Sequence, residues 1–404
     1  MARDLPASPG AACLAFFIFQ AGAQADGGLN SISELLGEVV KDSRVIIFTN
    51  HQSRFNARWR DLGCEVVVLA MREGSFDEDG VVQTSRMARF TARLANNLRI
   101  ARTLIAEQVD LVHANDTRSF WSAVLAAKLT GKPIVLNVRD ALPPTYRVAP
   151  TRWKLAYLLS DLFLVLSKDM EAYWSRLLDV PAGAKLRYLY SIVRPAPAAQ
   201  GVTRQAARAR LGLSDDDYTI AYVASFHPKK LQAEFIEHAA GAILEGVPQA
   251  RIHFVGDFDP AANPAAARAA EAAQGLGQPE RLVFEGFSAE TWLWYLAADL
   301  VVLASEREGL PRCLIEAMCY GAPFASFDVS SAQELADLYR AGSIAPLGDH
   351  RALVAAVLDR HHQRQADAET RETRAEAARR LFEPEAARAG YRALVSRLVR
   401  KPVT

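Results

Sequence analysis

The feature that most constrains this chain is the stretch 305–323, where two glutamates lie on either side of a predicted helix start. The apolar run 299–304 precedes it and is typical of a buried strand. Pro311 suits the first helical position, because its missing N–H would have no helical partner there. Apolar residues then recur at helical spacing until Gly321, a residue type that is common after a helix end. The stretch therefore predicts a strand, a loop and a helix in succession.

The two glutamates suit a ligand that carries both a diphosphate and hydroxyl groups. Glu308 falls in the predicted loop, whereas Glu316 lies beyond Pro311 by roughly 7–8 Å along the helix axis. A helix start attracts phosphate because its N–H groups are free and its dipole is positive there. Carboxylates accept strong hydrogen bonds from paired hydroxyls. The spacing therefore predicts a site for a sugar that is joined through a diphosphate to a ribonucleoside.

The string Glu-Gly-Leu-Pro-Arg-Cys-Leu-Ile-Glu-Ala-Met, which starts at Glu308, resembles the donor-site motif of family 4 glycosyltransferases with the GT-B fold. That motif is a glutamate, seven residues and a second glutamate. The resemblance implies that Glu308 takes part in catalysis by orienting the hydroxyls of the transferred sugar, and that Glu316 binds the ribose. It implies further donor contacts at Gly309, Leu310, Pro311 and Arg312.

A second segment, 221–230, is predicted to leave a strand and open a helix. It resembles the family segment whose arginine and lysine bind the diphosphate. Lys230 matches the lysine and is expected to take part in catalysis, whereas Ser225, a predicted donor contact, occupies the place of the arginine. A serine there removes a cation that would bind phosphate in a bidentate way. Either Lys229, Arg312 or a residue of the first domain supplies that charge, or turnover is low.

Apolar runs alternate with helical patterns along the chain, which predicts an α/β fold with parallel sheets covered by helices on both faces. In the first half the predicted strands are 12–19, 44–49, 65–69, 110–114, 133–138 and 162–166. In the second half they are 219–223, 251–255, 282–285, 299–304 and a segment near 323–327.

The stretch 193–201 is rich in proline and alanine and lacks core periodicity, so it is the predicted linker. The family resemblance implies the GT-B architecture, in which two Rossmann-like, doubly wound domains face each other across a cleft. The predicted first domain spans 1–195 on the acceptor side, and the second spans 201–382 and binds the donor. The resemblance also implies that a final helix, about 383–404, packs back on the first domain.

Candidates on the acceptor side follow predicted strands, because ligands of such sheets bind at the carboxyl ends of the strands. A glycine pair after the first strand is expected to bring backbone N–H groups close to the donor phosphates or to the acceptor. We assign Gly28 to the donor and Gly27 to the acceptor. Four further candidates end the strands 110–114 and 133–138; they are His113, Asp116, Arg139 and Asp140. The family often has histidine where this chain has Arg139, which leaves the role of this residue open.

Composition argues against two classes of partner. Lysine and arginine total 47 and aspartate and glutamate 46, so the formal net charge of +1 does not indicate a nucleic-acid partner. The four cysteines lack metal-site spacing and indicate a reducing compartment. An Asp-x-Asp pattern at 215–217 is predicted to be an acidic turn and not a metal site. We expect no metal and no cofactor, with a nucleotide-diphosphate-sugar as co-substrate.

The apolar run 11–19 and the small residues 21–25 together imitate a secretory signal. The residues before it carry one basic and one acidic side chain, which favours the alternative, a first buried strand followed by a loop and a helix. Outside this run, no apolar stretch approaches the length of a membrane span. The expected location is therefore cytoplasmic, with peripheral membrane contact left open.

The predicted helix 86–102 carries five arginines and no acidic residue. Its apolar stripe consists of Met87, Phe90, Leu94 and Leu98. One interpretation is a core-facing stripe with solvated arginines. The other is a surface for an anionic inner membrane, which would bring the protein to a lipid-linked acceptor.

The resemblance implies a retaining, metal-independent glycosyltransferase that moves a sugar from a nucleotide donor to a glycan or lipid-linked acceptor in cell-envelope polysaccharide synthesis. In the front-face mechanism of such enzymes, the leaving phosphate accepts the proton of the acceptor. Two alternatives stay open at this point. One is a sugar-nucleotide epimerase or hydrolase of the same fold, and the other is a non-catalytic binding partner of a transferase, which the serine at 225 favours.

Overall fold

The computed structural model describes residues 11–19, 27–69, 86–143, 145–181, 183 and 185–399. The chain divides into two compact units. The first unit comprises the residues up to 139, 144–192 and those from 384 onward. The second comprises 140–143 and 193–383.

The first unit is built on a parallel sheet of seven strands in the order β3-β2-β1-β4-β5-β6-β7. The strands are β1 (Cys13–Phe17), β2 (Arg44–Thr49), β3 (Glu65–Val68), β4 (Leu111–Ala114), β5 (Ile134–Asn137), β6 (Leu162–Val165) and β7 (Leu186–Tyr188). The helices between them are α1 (Gly27–Val39), α2 (Arg54–Asp61), α3 (Arg86–Ala106), α4 (Thr117–Leu129), α5 (Thr151–Leu159) and α6 (Lys168–Leu178).

The direction of the crossovers decides which helices share a face of this sheet. From β1 the chain moves one way to β2 and β3, and from β4 to β7 it moves the other way. Because parallel crossovers are right-handed, α1 and α2 cover one face and α3, α4 and α5 cover the other. Helix α4 packs against both α3 and α5, which places it between them.

The second unit has a parallel sheet of six strands in the order β10-β9-β8-β11-β12-β13. The strands are β8 (Tyr218–Val223), β9 (Ala250–Val255), β10 (Leu282–Gly286), β11 (Leu300–Leu303), β12 (Phe324–Phe327) and β13 (Gly342–Ala345). A first group of helices is α7 (Arg204–Arg210), α8 (Gln232–Phe235), α9 (Gly241–Gly246), α10 (Pro264–Leu276) and α11 (Thr291–Ala297). The second group is α12 (Arg312–Cys319), α13 (Ala332–Tyr339), α14 (His350–His362), α15 (Arg364–Glu369) and α16 (Arg371–Leu381). Short 3₁₀ turns occupy Pro197–Ala199 and Pro228–Lys230, and a π-helical turn occupies Ile236–Ala240.

Two parallel sheets with helices around them confirm the predicted α/β fold class. The apolar run at the start of the chain forms β1, which is paired on both sides by β2 and β4. This confirms the strand interpretation of that run. The strands β7 and β13 were not predicted, because both are short edge strands and lack a continuous apolar pattern.

The last helix, α17 (Pro384–Val395), belongs to the first unit. It packs against α1, and its Tyr391 and Val395 are buried in the core of that unit. Two arginines on α17 contact Asp42, which follows α1 in the sequence. Arg392 donates a hydrogen bond to Asp42, and the Arg388 guanidinium lies 3.8 Å from the same carboxylate.

A buried ion pair between Arg208 and Asp299 connects the N-terminal ends of the central strands of the second sheet. Arg208, which is only 2% exposed, has its guanidinium 3.2 Å from Asp299 Oδ2. Asp299 also accepts a hydrogen bond from the Thr219 backbone N–H at 2.9 Å. Arg208 in addition donates to the carbonyl oxygens of Ser214 and Asp217. These bonds fix the predicted acidic turn as a turn and connect α7 to β8 and β11.

Among the described residues, no helix is long and apolar enough to cross a membrane. Within the same part of the chain, no group of three or more histidine, cysteine, aspartate or glutamate side chains is arranged to hold a metal ion.

His113 is fully buried in the core of the first unit, where its Nδ1 lies 2.9 Å from the Tyr391 hydroxyl. The ring also stacks on Phe16, with centroids 4.5 Å apart. Burial, assisted by the positive charge of Arg139, lowers the pKa of His113 from 6.5 to about 3. The unfolded chain therefore takes up a proton as the pH falls below 6.5, whereas the folded chain does not until about pH 3.

We predict that this difference costs the first unit about 1.4 kcal/mol of unfolding free energy for each pH unit below the ordinary pKa of histidine. His113→Phe should remove that part of the slope. Urea unfolding followed by tryptophan fluorescence between about pH 7 and about pH 5 measures it. His51→Gln, which changes an exposed histidine, is the control and should keep the wild-type slope. Equal slopes for wild type and His113→Phe would contradict the prediction.

Candidate functional site

The predicted donor site lies at the carboxyl end of β11 and the start of α12. Pro311 is the residue that precedes α12, with φ −69° and ψ 100°, so the helix begins at Arg312. This corrects the prediction that Pro311 is the first helical residue. The Pro311 carbonyl oxygen still accepts from the N–H groups of Leu314 and Ile315, at 3.1 and 3.3 Å. The proline therefore orients the first turn although it is not part of it.

The end of α12 is fixed by a glycine. Gly321 has φ +81°, a backbone conformation that disfavours residues with a side chain. A Cβ atom there would also lie 2.5 Å from the Arg371 side chain and 2.9 Å from its carbonyl oxygen. Both constraints require glycine, and the helix ends at Cys319, two residues before this glycine, as the sequence predicts.

The centre of the site is a close ion pair between Lys230 and Glu308. The Lys230 Nζ lies 2.5 Å from Glu308 Oε1, and their side chains are only 17% and 10% exposed. Burial by itself lowers the pKa of Lys230, but the charge of Glu308, its hydrogen bond and the smaller effects of Cys313 and Asp140 together outweigh burial and raise this pKa. Lys230 is therefore positively charged at neutral pH. The pair brings together the two residues that the sequence predicts to be catalytic.

Two more contacts hold the Lys230 loop to the Glu308 loop. The Tyr222 hydroxyl donates to the Lys230 carbonyl oxygen and accepts from the Ala304 N–H at 3.1 Å. The Glu306 N–H donates to the Lys229 carbonyl oxygen at 2.8 Å. Tyr222 is buried, and this burial raises the pKa of its hydroxyl. The hydroxyl therefore stays protonated and keeps both hydrogen bonds.

The second glutamate of the motif is also paired. Arg312 Nε donates to Glu316 Oε1 at 2.7 Å, and both side chains are largely buried, at 24% and 19% exposed. Tyr295, on α11, is fully buried beside Glu316, and burial together with the charge of that carboxylate raises the pKa of its hydroxyl. Glu316 is therefore held between a cation and a neutral phenol.

Cys313 lies in the electrostatic field of the motif. Burial raises the pKa of its thiol to about 12, with Lys230 lowering it and Glu308 and Glu316 raising it. The thiol is therefore neutral at neutral pH. Among the described residues the four cysteines are free.

The loop between the two glutamates is packed against α13. The Ser331 Oγ donates to the Gly309 carbonyl oxygen at 2.8 Å, and the Leu310 side chain is buried. These contacts fix Gly309 and Leu310 next to Glu308, where the sequence places them.

Ser225 lies on the exposed side of the loop after β8. Its carbonyl oxygen accepts from the Gln232 Nε2 at 3.0 Å. The loop lies against Gly256, where a Cβ atom would be 2.0 Å from the Ala224 carbonyl oxygen. The backbone path beside Lys230 therefore depends on a glycine at the end of β9.

Lys229 and Asp140 both belong to the second unit. The Lys229 Nζ lies 3.9 Å from Asp140 Oδ2, and the aspartate side chain is 59% exposed. At that distance and exposure the pair contributes little to stability, so either charge is available to a ligand.

In the first unit, the acceptor-side candidates have different surroundings. Arg139 lines a small cavity at the carboxyl end of β5. The other lining residues come from α1, β5, β6 and the segment after β7; they are Ser31, Ile32, Leu35, Asn137, Leu164, Leu166, Leu189, Tyr190, Ser191 and Ile192. The Asn137 side chain is 3% exposed, and its Oδ1 has no hydrogen-bond partner among the described residues.

Two other candidates have roles in the fold. His113 packs between Phe16 and Tyr391, as described above. Asp116 is the N-cap of α4, and it accepts from the Ser119 N–H at 2.7 Å. Burial raises the pKa of Asp116, although its bonds to Ser119 oppose this. Gly27 and Gly28 are the first two residues of α1.

Three site residues were not found from the sequence. Tyr222, Tyr295 and Cys313 each contact the predicted residues or lie in their electrostatic field. Tyr222 lies in a strand and Tyr295 in an apolar helix, so both resembled ordinary core residues. The position of Cys313 inside the motif, two residues after Pro311, was the one available signal.

Two protein-family models match the chain. Residues 50–196 match the model described as Glycosyltransferase Family 4, and residues 203–381 match the model described as Glycosyl transferases group 1. The second match contains the Lys230–Glu308 pair and Glu316.

Curated relatives match over shorter stretches. The chain is 35% identical over 120 residues to the Vi polysaccharide biosynthesis protein VipC/TviE of Salmonella typhi, which is 30% of this chain and 20% of that protein. It is 26% identical over 270 residues to a 2-deoxystreptamine N-acetyl-D-glucosaminyltransferase of Streptomyces fradiae, which is 62% of each. The chain thus spans less than two thirds of the length of these relatives.

Solved structures match over nearly the whole chain and show a shared fold. The Anabaena protein HepE, in complex with UDP, superposes with a TM-score of 0.77 at 18% identity, over 96% of this chain and 100% of that one. Sucrose-phosphate synthase of Thermosynechococcus elongatus superposes with a TM-score of 0.74 at 20% identity, over 96% and 99%. Two glycosyltransferase family models therefore match successive parts of the chain, and the chain shares the fold of these solved structures.

Proposed function

We propose that this protein is a retaining glycosyltransferase that transfers a sugar from a nucleotide-diphosphate-sugar to a glycan or lipid-linked acceptor. The observation that carries the proposal is the Lys230–Glu308 pair beside the start of α12, with Glu316 farther along the same helix. A cation, a helix start and two carboxylates are the groups that suit a diphosphate, a sugar and a ribose.

In this proposal each group of the donor meets one part of the site. Lys230 and the start of α12 bind the diphosphate, where the ammonium and the helix dipole stabilise negative charge. Glu316 accepts hydrogen bonds from the ribose hydroxyls, and Glu308 from hydroxyls of the sugar. Gly309 and Leu310 shape the loop between them.

The reaction then needs no protein nucleophile. The bond between the anomeric carbon and the diphosphate oxygen breaks, and a bond to the acceptor oxygen forms on the same face of the sugar. The proton of the acceptor hydroxyl moves to the leaving phosphate oxygen. Catalysis then consists of positioning the donor and the acceptor and of stabilising the negative charge on the leaving diphosphate. That charge increases as the bond to the anomeric carbon breaks. We propose that no metal ion is required, because Lys230 and the helix start provide the positive field.

The serine at position 225 leaves the diphosphate with one cation fewer than the family pattern provides. Lys229 is the candidate replacement in the second unit, because its ammonium lies on the same loop as Lys230 and its pairing with Asp140 is weak. Arg312 is the alternative, since it starts α12, although it is paired with Glu316.

The acceptor side is proposed to include the cavity lined by Asn137 and Arg139, with Asp140 beside it in sequence. A buried amide oxygen and a guanidinium suit a hydroxylated ligand that carries negative charge. The similarity to a Vi polysaccharide biosynthesis protein supports a role in cell-envelope polysaccharide synthesis. The four free cysteines favour the cytoplasm.

We predict that Glu316→Ala weakens binding of UDP, the nucleotide bound by HepE, by about 10- to 100-fold. The physical reason is the loss of charge-assisted hydrogen bonds to the ribose. Isothermal titration calorimetry measures the dissociation constant. Glu271→Ala, which changes an exposed glutamate of α10 in the same unit, is the matched control and should bind like wild type. Equal affinities for wild type and Glu316→Ala would contradict the ribose assignment.

Glu308→Gln should lower the turnover number by about 100-fold while changing UDP affinity by less than about threefold, because the amide keeps the shape of the side chain but loses its charge. The assay is release of UDP from UDP-glucose and other UDP-sugars, with and without acceptor glycans.

Lys230→Met should instead weaken UDP binding.

The same assay separates the alternatives. UDP release that no acceptor stimulates would favour a hydrolase, and donor binding without any turnover would favour a non-catalytic partner. Full activity in Glu308→Gln would show that the residue is not part of the machinery.

A further inference from the structure

The outer face of the first unit exposes an unusual number of apolar side chains. Ten of the fourteen large hydrophobic residues exposed in the described part of the chain lie on α3, α4, α5 or the loop just before α5. They are Leu94, Leu98, Ile105, Trp121, Leu125, Leu129, Tyr146, Val148, Leu155 and Leu158. We call this set, with the three helices that carry it, the outer helical face.

These residues form continuous stripes. On α4 Trp121, Leu125 and Leu129 recur every fourth position, so they lie along one side of the helix. On α3 Leu94 and Leu98 have the same spacing. The three helices lie on the same side of the sheet with α4 in the middle, so the stripes are neighbours. Packing within the unit does not account for the most exposed members, since Leu129 is 60% and Leu158 is 70% exposed.

The charge of the same helices is of one sign. Helix α3 contains five arginines, and α4 and α5 contain two basic residues each; none of the three contains aspartate or glutamate. Arg102, Arg152 and Lys154 are exposed. The acidic residues nearby are outside the helices. Asp161 pairs with Lys128 at 2.8 Å, Glu107 pairs with Arg44 at 2.7 Å, and Asp116 caps α4.

We propose that the outer helical face binds an anionic lipid bilayer. Leucines and a tryptophan beside basic residues are the composition that inserts apolar side chains into the headgroup boundary while arginine and lysine contact anionic lipids. Tryptophan favours this interface because its ring is apolar and its N–H is polar.

Charge argues against a second copy of the chain as the occupant. A symmetric dimer through this face would place the same basic patch opposite itself, and like charges at an interface are unfavourable. A bilayer that contains anionic lipid complements both the apolar stripes and the positive charge. The proposal does not depend on the sugar or acceptor, so it stands or falls separately from the proposed activity.

The test is co-sedimentation of the full chain with vesicles of phosphatidylglycerol and, separately, of phosphatidylcholine. Wild type is expected to bind the phosphatidylglycerol vesicles and to bind phosphatidylcholine at least about tenfold more weakly. Binding to phosphatidylglycerol should weaken as salt is added, because exposed charges are screened. Absence of binding to phosphatidylglycerol vesicles would overturn the proposal.

Two triple variants locate the contact. Leu98→Gln with Leu129→Gln and Leu158→Gln should lower the partition coefficient by about tenfold or more, through loss of apolar insertion. The matched control makes the same change at three exposed apolar residues of the second unit. It combines Phe287→Gln, Leu338→Gln and Leu347→Gln, and should bind like wild type.

The second variant reverses charge and leaves the leucines in place. Arg102→Glu, Arg152→Glu and Lys154→Glu together should abolish the preference for phosphatidylglycerol. Its control reverses three exposed arginines away from the face, Arg60, Arg351 and Arg380, and should keep that preference. Because all these side chains are exposed, the variants should fold, which circular dichroism and thermal unfolding check.

Two results would contradict the assignment even if wild type binds vesicles. One is equal binding by the leucine variant and its control, which would place the contact elsewhere. The other is a dimer in sedimentation velocity that the leucine variant abolishes while vesicle binding is unchanged, which would make the face an interface between copies or with another protein.

Discussion

The ion pair between Lys230 and Glu308 is the interaction on which the site depends. It joins the loops that leave β8 and β11, which are neighbours at the point where the strand order of the second sheet reverses. Ligands of doubly wound sheets bind at such a point. With both side chains largely buried, removal of either partner would leave an unpaired charge in the interior. The pair therefore fixes the position of the proposed sugar and phosphate contacts relative to each other.

The rest of the second unit supports that pair. The Tyr222 hydroxyl forms hydrogen bonds to both of the loops that carry the pair. Gly256 allows the Ala224 backbone to lie close to the end of β9. Glu316 is held in the same way, between Arg312 and the neutral Tyr295. The two carboxylates that the proposal assigns to the donor are thus each oriented before a ligand arrives, which lowers the entropy cost of binding it. The membrane contact proposed for the outer helical face of the first unit would suit a lipid-linked acceptor, which is one of the two acceptor classes proposed above.

Most of the fold could be predicted from the sequence, because apolar runs and turn residues mark most of the strands. The strands β7 and β13 were missed because edge strands are short and only partly apolar. The residues of the predicted donor motif could be proposed from the sequence because the spacing of proline, glycine and the two glutamates resembles the family pattern. Tyr222 and Tyr295 were not, since their contribution depends on which side of a strand or helix meets a loop far away in sequence. For His113, the position at a strand end was predicted correctly. Its burial against Tyr391 could not be predicted, because Tyr391 lies 278 residues later in the sequence.

The most direct measurement is a crystal structure of the protein with UDP. We expect the diphosphate to lie within hydrogen-bond distance of the Lys230 ammonium and of the first N–H groups of α12, with the ribose hydroxyls on Glu316. A well-ordered nucleotide bound to other residues, with these groups making no contact to it, would contradict the account.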